Sequence, residues 1–223
     1  SLVFACVDIP PEPWVKALKK ELPNLEIEVW PNIKKPDEVE FALLWGNWSA
    51  DLSLFPNLQV FLSLGAGVDH ILTLDRRPAH IPIVRLGDPF LQTGMVEYVL
   101  YNVLRFHRSF QKYEEQQSNT LWLEHPQVSP SKRSVGIMGL GCLGSACAKA
   151  LVNLGFNVLG WSRRDKDIDK VKIFLGEHGL NQFLTQSEIV ICLLPLTKKT
   201  KNILNEENLK KLPTGSFVIN GAR

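Results

Sequence analysis

Short runs of apolar, β-branched and aromatic residues recur along the first half of the chain, separated by glycine, proline and polar residues. They predict strands at residues 2–7, 26–30, 41–45 and 60–64. Between the first two, Trp14, Leu18 and Leu22 have helical spacing. A strand, a helix and further strands with glycine-containing exits predict an α/β domain with a largely parallel sheet.

The second half shows a clearer alternation of strands and helices. From residue 95 to about residue 113 the pattern is helical, and the proline- and serine-containing residues 126–133 predict a loop that leads into a new sheet. Further strands are predicted at residues 134–138, 157–161, 171–175, 189–194 and 216–220, and further helices at residues 143–154 and 206–212. This alternation is typical of a doubly wound parallel sheet.

These patterns together predict two α/β domains, residues 1–97 and residues 98–223. The chain stops directly after a predicted strand, at Arg223. We therefore expect the second domain to be incomplete at its C-terminus.

Composition narrows the class of protein. The 223 residues are 45% hydrophobic and 22% charged, which is ordinary for a globular domain and argues against disorder. The longest apolar run, residues 189–196, is less than half of what a membrane-spanning helix needs. No secretory signal is visible, although the chain opens at Ser1 rather than Met and an upstream segment is left open. We expect a cytoplasmic protein with no membrane partner.

Four cysteines occur without CxxC pairs or histidines at ligand spacing: Cys6, Cys142, Cys147 and Cys192. This favours reduced, buried thiols over a disulfide scaffold or a zinc module, and no metal site is predicted.

Charge is distributed unevenly between the two halves. Residues 1–97 carry eight Lys/Arg and 13 Asp/Glu, whereas residues 98–223 carry 17 and 10. A basic excess in one half suits a phosphate-bearing ligand there, but it is too diffuse for a nucleic-acid footprint. A chance asymmetry of solvated faces is equally compatible with the charge alone.

The sequence GLGCLG at residues 139–144 follows a predicted strand and opens a predicted helix, the context that a dinucleotide-binding turn requires. Gly139 permits the tight turn, Gly141 lets the backbone approach a pyrophosphate, and Gly144 lets the helix pack closely on the strand. The helix N-terminus adds partial positive charge. A plain glycine-rich turn is the alternative, and the context favours dinucleotide binding.

Ser162, Arg163 and Arg164 stand at the end of the next predicted strand, where NAD-selective sites place a carboxylate on the ribose. A carboxylate repels a 2′-phosphate, whereas serine and arginine donate to it. NADP is therefore predicted, with NAD as the alternative cofactor. The contrasting interpretation is that both arginines are solvated turn residues.

The sequence LGAGVD at residues 64–69 follows another predicted strand. Such a turn can point successive backbone N–H groups at a carboxylate. Glycine clusters also mark ordinary turns, and the residue types alone favour that structural role.

Together these motifs resemble those of the D-isomer-specific 2-hydroxyacid dehydrogenase family. The resemblance runs in order across essentially the whole chain, through LGAGVD at 64–69, MVEY at 95–98, GLGCLG at 139–144, LLPLT at 193–197 and NGAR at 220–223. Trp45, the LGAGVD turn and WSR at 161–163 are most similar to its glyoxylate/hydroxypyruvate reductase branch.

The resemblance implies a flavodoxin-like substrate domain followed by a Rossmann domain, and the reduction of a small 2-oxo acid such as glyoxylate or hydroxypyruvate by NADPH. It implies that the backbone N–H groups of Ala66, Gly67 and Val68 hold the substrate carboxylate. Arg223 would bind the carboxylate and the carbonyl oxygen and polarise the carbonyl. Trp45 would lie at the substrate mouth, or simply cap a strand.

The resemblance also implies a set of cofactor contacts, along the pyrophosphate, around the adenosine phosphate, and on the ribose and nicotinamide sides. These contacts are Met95, Gly139, Leu140, Gly141, Cys142, Leu143, Gly144, Ser162, Arg163, Arg164, Leu194, Pro195, Thr200 and Gly221.

The sequence departs from the family in one respect. The family's acid/base pair, a Glu and a His, lies beyond the position of Arg223, and none of the five histidines offers a substitute. A ketone reduced by hydride needs a proton on its oxygen, so we expect the chain as given to bind better than it turns over.

Two other functional classes stay open. One is a catalytically inactive NAD(P)-binding sensor or corepressor-like module, and the other is a methyltransferase that binds S-adenosylmethionine. The predicted partners are a small 2-oxo acid and a second copy of the chain in a homodimer, with no nucleic acid.

Overall fold

The computed structural model describes residues 1–222, and the chain divides into two compact units, Ser1–Gly87 and Asp88–Arg223. The units divide earlier than the predicted boundary between residues 97 and 98, which falls within helix α3 (Pro89–His107). Val99 and Val103 of this helix are fully buried in the core of the second unit. Apolar packing thus assigns the whole helix to that unit.

The first unit contains a five-stranded sheet in the order β2-β1-β3-β4-β5, with every pair of neighbours parallel. Its elements are β1 (Leu2–Cys6), α1 (Pro11–Glu21), β2 (Ile27–Val29), β3 (Phe41–Trp45), β4 (Val60–Ser63), α2 (Asp69–Leu72) and β5 (Ile83–Arg85). This is the flavodoxin-like strand order. Cys6 pairs with Trp45 and Leu44 with Ser63, so the carboxyl ends of β1, β3 and β4 lie side by side.

Both faces of this sheet are covered by apolar side chains. Alternate residues of β1 contribute to two clusters, Val3 to one with Phe61 and Ile71, and Phe4 to another that packs against Leu18 of α1. Strands buried on both faces appear in the sequence as nearly continuous apolar runs, which explains why the pattern revealed them.

The second unit contains a five-stranded parallel sheet in the order β10-β9-β6-β7-β8. After α3 its elements are α4 (Phe110–Ser118), β6 (Ser134–Met138), α5 (Cys142–Asn153), β7 (Asn157–Ser162), β8 (Val171–Leu175), α6 (Gly176–Gln186), β9 (Ile189–Cys192), α7 (Glu206–Leu209) and β10 (Phe217–Asn220). If β6 to β10 are numbered 1 to 5 and the sheet is read from β8 to β10, this is the dinucleotide-binding order 3-2-1-4-5. The predicted fold class, two doubly wound parallel-sheet units, is confirmed.

The helical segment predicted at residues 95–113 is two helices rather than one. Helix α3 begins six residues earlier, at Pro89, where the side chain of Asp88 caps it by accepting a hydrogen bond from the N–H of Phe90 at 2.9 Å. Ser109 then adopts a left-handed conformation, with φ 55°, between α3 and α4. Proline at the first helical position and an acidic N-cap are ordinary start signals, and they outweigh the weaker apolar pattern of this first turn.

The expectation of buried thiols is correct for Cys147 and Cys192 and wrong for Cys142, which is exposed, while Cys6 is half-buried. Burial raises the pKa of Cys6 to about 12 and that of Cys147 to about 11, so both are protonated thiols that act in packing. All four cysteines are free of disulfides. Among residues 1–222, no helix combines the length and the apolar character needed to cross a membrane.

Candidate functional site

The glycine-rich turn after β6 has the geometry that its sequence predicts. Gly139 has φ +97°, a conformation that favours glycine. If a Cβ atom were added to Gly144, it would lie 1.9 Å from the carbonyl oxygen of Gly139. A Cβ atom added to Gly141 would meet no atom within 4 Å. Gly144 therefore permits close packing of α5 on the turn, and Gly141 leaves open space beside the backbone.

The N-terminus of α5 has no side-chain cap. Gly141 is its N-cap residue, and among residues 1–222 no side chain caps the first N–H groups of the helix. Cys142 is exposed, and its thiol lies 3.4 Å from Oε1 of Gln92 on α3. Leu143 is half-buried. An uncapped helix start beside open space fits a phosphate group, which accepts hydrogen bonds from such N–H groups.

Leu140 differs from its neighbours in the turn because its side chain is only 2% exposed and belongs to the core. A Cβ atom on Gly160 of β7 would lie 2.5 Å from Cδ1 of Leu140. Only the backbone of Leu140 is thus available to a ligand, and Gly160 provides the room for its side chain.

The turn lies where the strand order reverses. β6 pairs with β7 on one side and with β9 on the other, and ligands of open α/β sheets bind beyond the carboxyl ends of the strands at such a point. A Cβ atom on Gly139 would lie 3.0 Å from the carbonyl oxygen of Leu193 and 3.1 Å from Cδ2 of Leu194. The exits of β6 and β9 are thus in contact.

At the end of β7, Ser162 is buried and its hydroxyl donates to the carbonyl oxygen of Arg164. The serine therefore shapes its own turn. The side chains of Arg163 and Arg164 are exposed, and neither forms an ion pair with a described residue. Two such guanidinium groups can donate bidentate hydrogen bonds to a phosphate.

The loop after β9 is held by its own side chains. The hydroxyl of Thr200 donates to the carbonyl oxygen of the exposed Pro195 and accepts from the N–H of Thr197 at 2.9 Å. Thr200 thus fixes the shape of this predicted ribose-side loop.

Met95 and Gly221, both predicted to contact the cofactor, lie close together. A Cβ atom on Gly221 would lie 2.9 Å from Cδ2 of Leu193 and 3.3 Å from Sδ of Met95. Glycine at this position leaves room for the side chains of Leu193 on the exit of β9 and Met95 on α3 to approach the backbone after β10. Arg223, the predicted catalytic residue, lies outside the described residues.

In the first unit, the predicted carboxylate-binding turn follows β4. The indole of Trp45 lies directly on this turn, because a Cβ atom on Gly65 would fall 2.2 Å from its Cζ3 atom. Within residues 1–222, no acceptor is found for the backbone N–H groups of Ala66, Gly67 and Val68. Trp45 therefore packs on a turn that presents successive open donors.

Ser63 and Gln92 contact the candidate sites and were not predicted from the sequence. Ser63 is buried at the end of β4 and contacts the backbone of the turn that follows. The signal for Ser63 is a single hydroxyl in the apolar run at residues 60–64. Gln92 lies in the first turns of α3, before the predicted helix start, and carries no motif.

A parallel sheet in this order, with a glycine-rich turn and an uncapped helix start at its reversal point, defines a dinucleotide-binding protein of the Rossmann class. The sequence model of a protein family, the NAD binding domain of D-isomer specific 2-hydroxyacid dehydrogenases, matches residues 100–223. Glyoxylate/hydroxypyruvate reductase A of Salmonella paratyphi B is 37% identical over 215 residues, which cover 94% of this chain and 68% of that protein. The chain belongs to the D-isomer specific 2-hydroxyacid dehydrogenase family, as the motifs predict.

Solved structures agree with this assignment. A D-isomer specific 2-hydroxyacid dehydrogenase from Xanthobacter autotrophicus Py2, in complex with NADPH and MES, aligns with a TM-score of 0.92 and 37% identity over 100% of this chain and 72% of that one. An NADPH-dependent glyoxylate/hydroxypyruvate reductase from Sinorhizobium meliloti, in complex with NADP and sulfate, aligns with a TM-score of 0.89 and 34% identity over 100% and 73%.

Proposed function

We propose that this protein is an oxidoreductase that transfers a hydride from NADPH to a small 2-oxo acid such as glyoxylate or hydroxypyruvate. The single observation that carries the proposal is the glycine-rich turn at the start of α5, next to the exposed Arg163 and Arg164 at the end of the adjacent strand. The names of the relatives support it, since glyoxylate/hydroxypyruvate reductases are among them and one is described as NADPH-dependent.

The residues of the second unit fit the cofactor. The N–H groups of Cys142 and Leu143 would donate to the pyrophosphate, and the open space beside Gly141 would admit it. Arg163 and Arg164 would hold the 2′-phosphate. Bound NADPH supplies the hydride.

The substrate would be held through its carboxylate. The N–H groups of Ala66, Gly67 and Val68 would donate hydrogen bonds to this carboxylate. Trp45 borders the turn that carries them. By the family resemblance, Arg223 would bind the carboxylate and carbonyl oxygen and stabilise the negative charge that develops on that oxygen. By the same resemblance, the proton for this oxygen would come from the family's Glu and His pair, whose positions lie beyond that of Arg223.

The test is whether the purified full-length protein oxidises NADPH, followed by its absorbance, when glyoxylate or hydroxypyruvate is added. Calorimetric titrations with NADPH, NADH and S-adenosylmethionine provide the controls. We expect turnover, tight binding of NADPH and weaker binding of NADH. NADPH binding without turnover would instead favour the inactive sensor, and binding of S-adenosylmethionine alone would favour a methyltransferase.

We also propose a homodimer that covers the apolar segment after α4. Trp122 is 93% exposed, and Leu121 and Leu123 are each more than half exposed. Exposed apolar patches of this kind mark interfaces in proteins. Sedimentation analysis should show a dimer that Trp122→Ser weakens and that Trp14→Ser, in the first unit, leaves intact. A wild-type monomer would contradict the proposal.

We propose a cytoplasmic location as well. Its support is that the four cysteines form no disulfide, as is usual in reducing compartments. Cell fractionation followed by immunodetection tests it, and recovery with a membrane or secreted fraction would contradict it.

A further inference from the structure

Ser63 is a buried polar residue at a position that suits an apolar one. It is the last residue of β4, only 5% exposed, and lies on the same face of the sheet as the fully buried Phe61. Burying a hydroxyl in such a place is unfavourable unless hydrogen bonds compensate for the lost water. Its hydrogen bonds therefore explain what the residue does.

The hydroxyl of Ser63 joins the two ends of the turn that follows. It donates its proton to the carbonyl oxygen of Gly67 at 2.8 Å and accepts from the N–H of Gly65 at 3.3 Å. The carbonyl oxygen of Gly65 in turn accepts from the N–H of Leu86, at 3.3 Å. These bonds fix the backbone on either side of Ala66.

The same bonds decide which donors of the turn stay open. Ser63 engages the N–H of Gly65, while within residues 1–222 the N–H groups of Ala66, Gly67 and Val68 have no acceptor. The carbonyl of Gly67 is held by the hydroxyl, so the peptide between Gly67 and Val68 has a fixed orientation. The N–H of Val68 belongs to that peptide, and its direction is therefore set by Ser63.

We propose that Ser63 is a positioning residue for substrate binding, because its hydroxyl holds the turn in the shape that presents these N–H groups to the carboxylate of the 2-oxo acid. This inference rests on the proposed function. Ser63 does not itself contact substrate. It removes the need to order the turn during binding, and such preorganisation strengthens binding without a new contact.

Removing the hydroxyl of Ser63 should therefore lower the affinity for carboxylates and leave the rate of hydride transfer nearly unchanged. The carboxylate is held equally in the ground state and in the transition state, so a loosened turn raises KM with a much smaller effect on kcat. Loss of one such pair of hydrogen bonds corresponds to about a 5- to 10-fold change in affinity.

The experiment compares Ser63→Ala and Ser63→Cys with a matched control, Ser187→Ala. Ser187 is also fully buried, and its hydroxyl donates to a backbone carbonyl, that of Phe183, at 2.7 Å. For each protein we would measure KM and kcat for glyoxylate, the inhibition constant of oxalate, the dissociation constant of NADPH and Tm.

For Ser63→Ala we expect KM and the oxalate constant to rise together by about 5- to 10-fold, with kcat and the NADPH constant nearly unchanged. Ser63→Cys, which keeps a weak donor, should give intermediate values. Ser187→Ala should lower Tm without moving KM or the oxalate constant. This pattern separates a positioning role from general destabilisation.

Two outcomes would overturn the assignment in distinguishable ways. Wild-type turnover with an unchanged oxalate constant in Ser63→Ala would refute the role of Ser63 alone. Absence of wild-type turnover with any 2-oxo acid would refute the proposed function and this inference with it. If Ser63→Ala does not fold, an oxalate constant for Ser63→Cys equal to that of the wild type refutes the role.

Discussion

Cofactor selectivity is decided by few side chains, because the 2′-phosphate is the only group that distinguishes NADPH from NADH. Arg163 and Arg164 are exposed and have no ion pair with any residue from 1 to 222. Both guanidinium groups are thus available to a ligand. Ser162 supports them indirectly, since its hydroxyl holds the carbonyl of Arg164.

Replacing both arginines by alanine should weaken NADPH binding by about tenfold or more, because charge-assisted hydrogen bonds to the 2′-phosphate are lost. NADH binding should change little. Calorimetric titration with both cofactors measures the effect, and Lys149→Ala, an exposed residue of α5, is the control. An equal loss for both cofactors would show that the arginines do not recognise the 2′-phosphate.

Thiol reactivity should differ strongly among the cysteines. Burial raises the pKa of Cys6, Cys147 and Cys192, which suppresses their reactive thiolate forms. Cys142 is exposed at the start of α5.

We expect 5,5′-dithiobis(2-nitrobenzoic acid) to modify Cys142 rapidly and the other three slowly. Cys142→Ser should remove the fast phase of the absorbance change, and Cys6→Ser should leave it. Saturating NADPH should slow the fast phase, since the pyrophosphate would lie along the same turn. A fast phase that persists in Cys142→Ser would contradict this.

At the scale of elements, the dinucleotide-binding turn offers a matched pair of glycine substitutions. In Gly144→Ala the new methyl group would lie 1.9 Å from the carbonyl oxygen of Gly139, so α5 must move away from the turn. Such overpacking costs about 1–3 kcal/mol. In Gly141→Ala the methyl group enters open space, and the φ of −76° suits alanine.

Gly144→Ala should therefore lower both Tm and NADPH affinity. Gly141→Ala should keep Tm and lose NADPH affinity alone, because its methyl group occupies the space proposed for the pyrophosphate. Thermal denaturation and calorimetry distinguish the two. Normal NADPH binding by Gly141→Ala would place the pyrophosphate elsewhere.

Strands could be predicted from the sequence wherever an apolar run or an alternating pattern marks them, and these include the edge strands β2, β8 and β10. Strand β5 and helices α2 and α6 could not be predicted in this way. The central strands β3 and β6 have the predicted bounds, because their apolar runs are continuous. Strand β5 is an edge strand of three residues, two of them exposed, and helix α2 has only four residues. Helix α6 begins with glycine and contains Gly179, and glycine weakens a helical pattern.

The candidate site could be predicted as far as its glycines. A glycine-rich turn between a strand and a helix carries its own signal, and the conformations of Gly139 and Gly144 agree with it. The inward side chain of Leu140 and the cross-turn hydrogen bonds of Ser63 depend on tertiary packing. No local pattern of the sequence determines such contacts.

For the molecule as a whole, the free energy of unfolding should depend on pH through a cluster of Arg133, Glu188 and His107. Arg133 and Glu188 directly precede the central strands β6 and β9 of the second sheet. Glu188 pairs with Arg133 at 2.6 Å and accepts from the N–H of Ser134 at 2.9 Å. His107 is buried, packs edge-on against Phe156, and its Nδ1 has no partner among the described residues. Burial chiefly, and then the charges of Arg133 and Arg108, lower the pKa of His107, while Glu188 opposes them.

A histidine with a lowered pKa in the folded state binds protons more readily when unfolded. Its stabilising contribution is complete above its ordinary pKa, about 6.5, and is lost as pH falls below that value. We expect Tm to fall between about pH 7.5 and 5.5, and to fall less in His107→Phe. His178→Gln, an exposed position, should behave as the wild type. An identical pH profile in His107→Phe would contradict the prediction.

The distribution of charge leads to a prediction about salt. Residues 88–223 carry 17 Lys/Arg and 12 Asp/Glu, whereas residues 1–87 carry eight and 11, so the unit with the dinucleotide turn is the positive one. Screening by salt weakens attraction between exposed charges, with a Debye length of about 10 Å at about 0.1 M. Raising NaCl from about 0.01 to 0.3 M should therefore increase the NADPH dissociation constant by roughly fivefold, since about 1 kcal/mol of exposed attraction is screened.

NADH lacks the 2′-phosphate, so its dissociation constant should depend less on salt. In the Arg163→Ala/Arg164→Ala variant the salt dependence of NADPH binding should fall to that of NADH. A selectivity that rests on shape alone would instead give both cofactors the same salt dependence in the wild-type protein. Calorimetric titrations at several salt concentrations therefore separate the two arginines from the general positive charge of the unit. The salt dependence lost in the variant belongs to the arginines, and any excess for NADPH over NADH that remains in the variant belongs to the general charge.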